Sequence, residues 1–282
     1  MKIDCHMHMV LDGVAWKAAI ARHSQGVDMA FVRRTLERYA KLGYGYLRDG
    51  GDRWGVGAAA RSVAGEYGIC YRTPLAPLCR KGHYGAFIGR TYDSLSDYAS
   101  LVVQQRQQGA DFVKIMISGL MDFDRFGVLT EEGLPADEIQ ELIHIAHEEG
   151  MAVMAHANGA RTVEAAAVAG VDSVEHGAYL DEVALAAMAE RSAVWVPTLS
   201  TIGNLRGKGR FQEDAVSRIL NSAMENVYRF AAMGGYLAAG SDAGAWAVAH
   251  GLDSEWELLS QAIGPNAQQL VNRGNERIRQ MF

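Results

Sequence analysis

The chain has 282 residues, 49% hydrophobic and 21% charged, the composition of a globular protein with a sizeable core. Its formal charge of −6, without any basic block, gives no electrostatic footing for nucleic acid or an anionic membrane, and no apolar run approaches the roughly 18 residues that span a bilayer. Cys5, Cys70 and Cys79 form no Cys-x-x-Cys pair and no secretory pattern opens the chain, so a reducing, cytoplasmic setting is expected.

In chain order, runs rich in β-branched and aromatic residues alternate with longer amphipathic stretches. The expected strands are residues 2–6, 44–48, 69–74, 112–117, 152–156, 173–176, 193–197 and 236–240. The expected helices are 29–42, 57–67, 95–108, 136–149, 160–169, 181–190, 213–233 and 254–263. Gly43, Gly68, Gly109, Gly150 and Gly170 each stand between a helix and the next strand, where a left-handed cap belongs. Eight βα units in succession predict an α/β fold, a (β/α)8 TIM barrel in one domain over residues 1–282. No Gly-x-Gly-x-x-Gly follows the first strand, which disfavours a nucleotide-binding open sheet.

In such a barrel, chemistry gathers at the C-terminal ends of the strands. His6 and His8, two apart, share one face of the first strand. Lys114 lies on the fourth strand, His156 and His176 end the fifth and sixth, and Asp242 follows the eighth. Taken singly these are common residues; converging on one mouth they make a ligand set for divalent metal.

Asp4-Cys-His6-Met-His8, Phe112-Val-Lys114-Ile, Met154-Ala-His156, Val174-Glu-His176-Gly and Gly240-Ser-Asp242-Ala-Gly together resemble the amidohydrolase superfamily, most closely its binuclear members of the prolidase and imidazolonepropionase-like kind. Arg48-Asp-Gly-Gly51 and His250-Gly add local echoes, and the likeness runs from residue 1 to about residue 250. It implies that His6, His8 and Asp242 hold one divalent ion and His156 with His176 a second, with zinc the first choice. Lys114 would carry a carbamate bridging the two, since burial favours the neutral amine that adds carbon dioxide. The other reading of Lys114 is a buried lysine paired with Asp242.

The resemblance further implies that a metal-bridging hydroxide attacks an amide or related C–N bond, with Asp242 the catalytic base and then acid. The expected substrate is a small molecule, a dipeptide or N-acyl amino acid. An esterase, lactonase or phosphoester hydrolase with the same site is the alternative, and a non-catalytic metal-binding barrel a third reading. There is no Gly-x-Ser-x-Gly elbow, and His156-Ala-Asn-Gly lacks the glutamate of a mononuclear deaminase.

For substrate contacts the loops offer His83, His250 and Arg48, with Arg80, Lys81, Arg90 and Arg125 as further partners for a carboxylate. Tyr84, Trp54, Phe123, Phe126 and Trp246 are candidate apolar walls, and residues 199–211, with three glycines, are expected to form a closing flap. His144 and His147 lie on an outer helix and are expected to be structural. The small β-sandwich common in the related proteins is expected to be missing. An uncovered barrel face would then favour a homo-oligomer, and residues 268–282 would form a final helix.

Overall fold

The computed structural model describes residues 1–282. Its strands are β1 (Lys2–Met7), β2 (Tyr44–Asp49), β3 (Cys70–Arg72), β4 (Leu78–Arg80), β5 (Arg90–Tyr92), β6 (Val113–Met116), β7 (Val153–Ala157), β8 (Ser173–His176), β9 (Val194–Val196) and β10 (Tyr236–Leu237). Its helices are α1 (Trp16–Ala21), α2 (Met29–Lys41), α3 (Val56–Ala64), α4 (Leu95–Gln107), α5 (Ala136–Glu148), α6 (Ala160–Val168), α7 (Glu182–Glu190), α8 (Ser200–Gly203), α9 (Glu213–Ala232), α10 (Ser254–Ile263) and α11 (Ala267–Met281). No helix is long and apolar enough to cross a membrane.

The strands form two parallel sheets, β1-β2-β3 and β10-β9-β8-β7-β6-β4-β5. Every residue of β6, β7 and β9 is buried, as parallel strands covered on both faces require. Backbone hydrogen bonds also link the two sheets: Cys5 donates to Ala239 (2.8 Å) and His8 to Ala243 (2.7 Å) beside β10, and Asp111, just before β6, donates to Thr73, just after β3 (3.0 Å).

The third strand departs from expectation. The run 69–74 yields only the three residues of β3, and the chain restarts as β4, whose Leu78 and Cys79 pair with Ile115 and Met116 of β6. Pro74 and Pro77 between them cannot donate to a ladder, and Leu75 takes a left-handed φ of 67°. The short strand β5, which pairs with β4, carries too few residues for a periodic signal.

Helix starts follow side-chain caps where the sequence supplies them. Asp28 accepts from Phe31 N, Asp181 from Ala184 N, and Ser94 with Asp97 forms a capping box. The final segment is a helix, α11, lying against β10. A Cβ on Gly274 would come within 2.0 Å of the Leu237 carbonyl, so only glycine permits this approach. Phe282 then packs edge-on against Phe112 (5.1 Å) and joins a small core with Ile3, Cys5, Tyr46 and Met154. The tail thus covers the end of the sheets opposite the strand C-termini.

Glu255 of α10 is buried and accepts from Ser200 N (2.8 Å), with its Oε1 unpartnered. Burial pushes its carboxyl up to about 8, against the lowering by Ser200 and Leu199 donors, from an ordinary 4.5. The folded state therefore holds a proton that the unfolded chain releases, and stability falls as pH rises from about 4.5 to about 8. Glu255→Gln is expected to flatten that fall. Thermal melts of both proteins at pH 5 and pH 8.5 check this, and equal losses in the two would refute it.

Candidate active site

The strand alternation of β1 turns His6 and His8 to the same side, and their Nε2 atoms lie 3.3 Å apart. Asp242 Oδ1 lies 3.5 Å from His6 Nε2 and 3.3 Å from His8 Nε2. One ligand atom from each of the three residues falls within 4.8 Å of the others. Asp242 is held there by its own N–H, which donates to the His6 carbonyl (2.6 Å), at a left-handed φ of 53°. Ser241 beside it donates from its hydroxyl to Asp4 (2.6 Å), which ties the loop after β10 to the base of β1. Gly50 explains the glycine pair after β2: a Cβ there would fall 2.2 Å from His8 Cε1.

His176 also takes a left-handed φ, 68°, which breaks the strand alternation and sets its ring centroid 5.0 Å from His6 and 4.5 Å from His156. Its Nδ1 pairs with Thr198 Oγ1 (2.8 Å). His156 Nε2 donates to the Gly119 carbonyl (3.1 Å). Lys114 is buried between these groups with no partner for its Nζ.

Electrostatics favour a cation-binding state. Burial lowers His6 to about 4 and His156 to about 3, aided by the charge of Lys114, so both imidazoles are neutral at pH 7. Burial likewise lowers Lys114 to about 8. Burial pushes Asp242 up, but the neighbouring His6, His8 and Lys114 side chains outweigh it, leaving the carboxyl below its ordinary range. Asp242 Oδ1 and His8 Nδ1 are buried without hydrogen-bond partners, an expensive condition unless something else satisfies them. Two imidazoles and a carboxylate oxygen at this spacing fit a divalent transition ion.

Sequence reasoning missed the support beneath this site. Glu175 Oε2 accepts from His6 Nδ1 (2.7 Å), which assigns the ring proton to Nδ1 and leaves Nε2 free to ligate. Glu175 Oε1 accepts from Arg48 Nη2 (2.8 Å) and Ser173 Oγ (2.7 Å). Burial alone would raise Glu175, yet Arg48 and His6 hold it at about 2. The signal was available: an ionisable residue inside a buried parallel strand demands a partner.

Three expected substrate contacts are corrected. Arg48 is fully buried, and its remaining donors go to the Cys5 carbonyl (2.6 Å) and Ser173 Oγ (2.9 Å), so no edge faces a ligand. His250 spends both ring nitrogens on Tyr39 Oη (3.2 Å) and the Leu11 carbonyl (2.9 Å), joining the loop after β10 to the loop after β1. His83 turns its ring to Glu131, leaving the next residue, Tyr84, to line the cavity with its ring 4.8 Å from His156. The other proposed cations are also engaged elsewhere: Arg80 with Glu138 (2.6 Å), Lys81 with Asp93 (3.1 Å), Arg90 with Gln104 (2.7 Å) and Arg125 with Asp122 (2.5 Å). His144 and His147 make surface pairs with Glu148 (3.3 Å) and Asp172 (2.9 Å).

His6, His8, Lys114, His156, His176 and Asp242 line one cavity of about 650 Å³, most of whose lining is hydrophobic. Of the expected walls, Tyr84, Phe123 and Trp246 line it, whereas Trp54 and Phe126 do not. In the expected flap, Leu199, Ile202 and Leu205 are buried and only residues 206–210 form an exposed tip.

No protein-family model matches the chain. Over 149 residues it is 29% identical to the ochratoxinase of Aspergillus niger, aligning 51% of this chain with 28% of that protein. The chain therefore spans well under two thirds of the curated relative that it matches. Among solved structures, a Xaa-Pro dipeptidase with methionine bound in its active site superposes with a TM-score of 0.76 at 20% identity, covering 98% of this chain and 74% of that one. The A. niger ochratoxinase gives 0.76 at 20% identity, covering 98% and 68%. A prolidase complexed with N-methylphosphonate-L-proline gives 0.75 at 22% identity, covering 98% and 74%. The chain shares the fold of these dipeptidase, ochratoxinase and prolidase structures and, along about half its length, has a sequence likeness to ochratoxinase.

Proposed function

We propose that the protein is a metal-dependent hydrolase of amide or related C–N bonds in a small molecule, built on a single (β/α)8 barrel. The observation that carries this reading is the convergence of His6, His8 and Asp242 within 4.8 Å at the floor of the cavity that also exposes Lys114, His156 and His176. The dipeptidase and prolidase among the structural neighbours make a dipeptide or N-acyl amino acid the first substrate class to try.

His6, His8 and Asp242 would hold one ion and His156 with His176 a second, and Lys114, as its carbamate, would supply a further anionic oxygen ligand. Divalent ions so held supply a polarised carbonyl and a more acidic water. The chain's own residues do the rest. Asp242, kept ionised by the cationic and imidazole groups around it, takes the proton of the attacking water and returns it to the leaving amine. Glu175 keeps His6 in the tautomer with Nε2 free. Lys114, lowered to about 8, has enough neutral amine near neutral pH to take up carbon dioxide. The aromatic walls exclude bulk water and strengthen each charge interaction.

Metal analysis tests the site directly. Reconstitution with zinc is expected to load about two ions per chain, with loading of the second dependent on bicarbonate. One ion indifferent to bicarbonate would return Lys114 to an ordinary lysine. No retained metal, together with no turnover across a panel of amides, would overturn the reading.

A further inference from the structure

The cavity has two cationic residues, Lys114 at its floor and Arg210 at its rim. It also has two carboxylates, Asp242 at the floor and Asp122, which is committed to Arg125 Nε (2.6 Å) and to the backbone N–H of Asp124 (3.0 Å). Arg210 differs from every other arginine considered for substrate. Its guanidinium carbon sits 4.3 Å from the centroid of the Trp246 ring and 5.2 Å from that of Phe211, yet it forms no ion pair or hydrogen bond with the protein. Stacking occupies the flat face of a guanidinium and leaves its in-plane N–H groups free.

The platform under Arg210 is itself braced. Phe211 packs against Phe123 (5.2 Å) and Trp246 (6.1 Å), and the next residue, Gln212, donates its N–H to Asp124 (2.8 Å). Three loops, those after β6, β9 and β10, therefore meet where the arginine is displayed. A preorganised fork of this kind matches a carboxylate, bidentately and with little entropy left to lose. The cavity beneath it, at about 650 Å³, lies within the roughly 300–1,000 Å³ of sites that enclose drug-sized ligands, and its walls are largely apolar.

We propose that Arg210 binds the carboxylate of an anionic amide whose apolar, ring-bearing body fills this cavity, so that the enzyme selects bulky N-acyl amino acids over their neutral counterparts. The assignment rests on the amide-hydrolase reading for the reaction, but its binding component can be measured without turnover. N-benzoyl-L-phenylalanine and its primary carboxamide form a matched pair differing only in the charge at the proposed contact. Each would be titrated calorimetrically into the full-length protein in excess EDTA, and separately assayed for hydrolysis in the metal-loaded protein. Arg210 is exposed, so its substitution removes little packing.

The wild-type protein is expected to bind the acid about tenfold more tightly than the carboxamide. R210Q should lose that preference without weakening carboxamide binding, and R210K should recover part of it. In turnover the loss should fall on KM, with kcat nearly unchanged. Equal binding of acid and carboxamide by the wild type, no saturable binding of either, or an acid preference that survives in R210Q would each overturn the assignment. The expected binding pattern without hydrolysis of either compound would uphold the anion site and count against the hydrolase reading instead.

Discussion

Asp242→Asn is expected to lower kcat by about 10²- to 10⁴-fold, the usual range for removing a general acid–base group. In the proposed mechanism Asp242 is the residue in which ligation and proton transfer meet. Its Oδ1 faces both His6 and His8, and no protein donor satisfies that oxygen. Asparagine keeps the size and one oxygen, so the backbone bond from residue 242 to His6 should persist and the fold with it. What the amide cannot do is accept the proton of the attacking water. Because the same substitution weakens a proposed ligand, the measurement pairs kcat with metal content per chain in each preparation. A loss of kcat at full occupancy assigns the proton transfer to Asp242. Activity equal to wild type would remove Asp242 from the mechanism.

Arg48→Met is expected to cost about 3–5 kcal/mol of stability, the usual penalty for leaving one partner of a buried ion pair alone. In a chain of this size that corresponds to a fall in Tm on the order of 10 °C. Arg48 and Glu175 are both completely buried, and the arginine also holds the Cys5 carbonyl and Ser173 while its face rests 4.5 Å from the Phe282 ring centroid. With the guanidinium gone, Glu175 loses the main influence that holds it at about 2 and is left to burial, which raises it. Its hydrogen bond with His6 then changes character, and metal affinity should fall as well, by about 10- to 100-fold for a disturbed supporting partner. The contrast with a substrate contact is sharp. A residue that met the ligand would change KM and leave Tm alone. Chemical denaturation and metal titration of Arg48→Met therefore decide between the two roles.

Glu175, Arg48 and Ser173 also show why the strand-end residues could be read from the chain while the identity of their supporting partners could not. His6 and His8 announce themselves through a spacing of two on a strand, and Asp242 through its place after the last strand. A glutamate next to a histidine has no such periodic mark, and its partners lie 127 residues away at Arg48 and 169 away at His6. The substrate contacts expected of His83, His250 and Arg48 rest on nearness to motifs, but the side chains of the loop residues His83 and His250 can turn either way, and Arg48, on β2, is buried inside the sheets. In each case a protein acceptor or donor had claimed the side chain.

What the sequence determined by itself was what depends on local periodicity and local punctuation. The alternation of strand and helix, the capping glycines, and the strand ends bearing histidine, lysine and aspartate all follow from steric and hydrophobic rules acting within about ten residues. Even there the run 69–74 overstates a strand that the structure confines to Cys70–Arg72, and the separate β4 beyond the prolines carries no local signal, because its pairing is set by β5 and β6. Tertiary structure alone decided which residues meet across the sheets: the pairing of Glu175 with His6, the burial of Arg48, the turning of His83 to Glu131, and the seating of Arg210 on Trp246. Those contacts join segments far apart in the chain, so their energies depend on packing and desolvation, which no local pattern encodes.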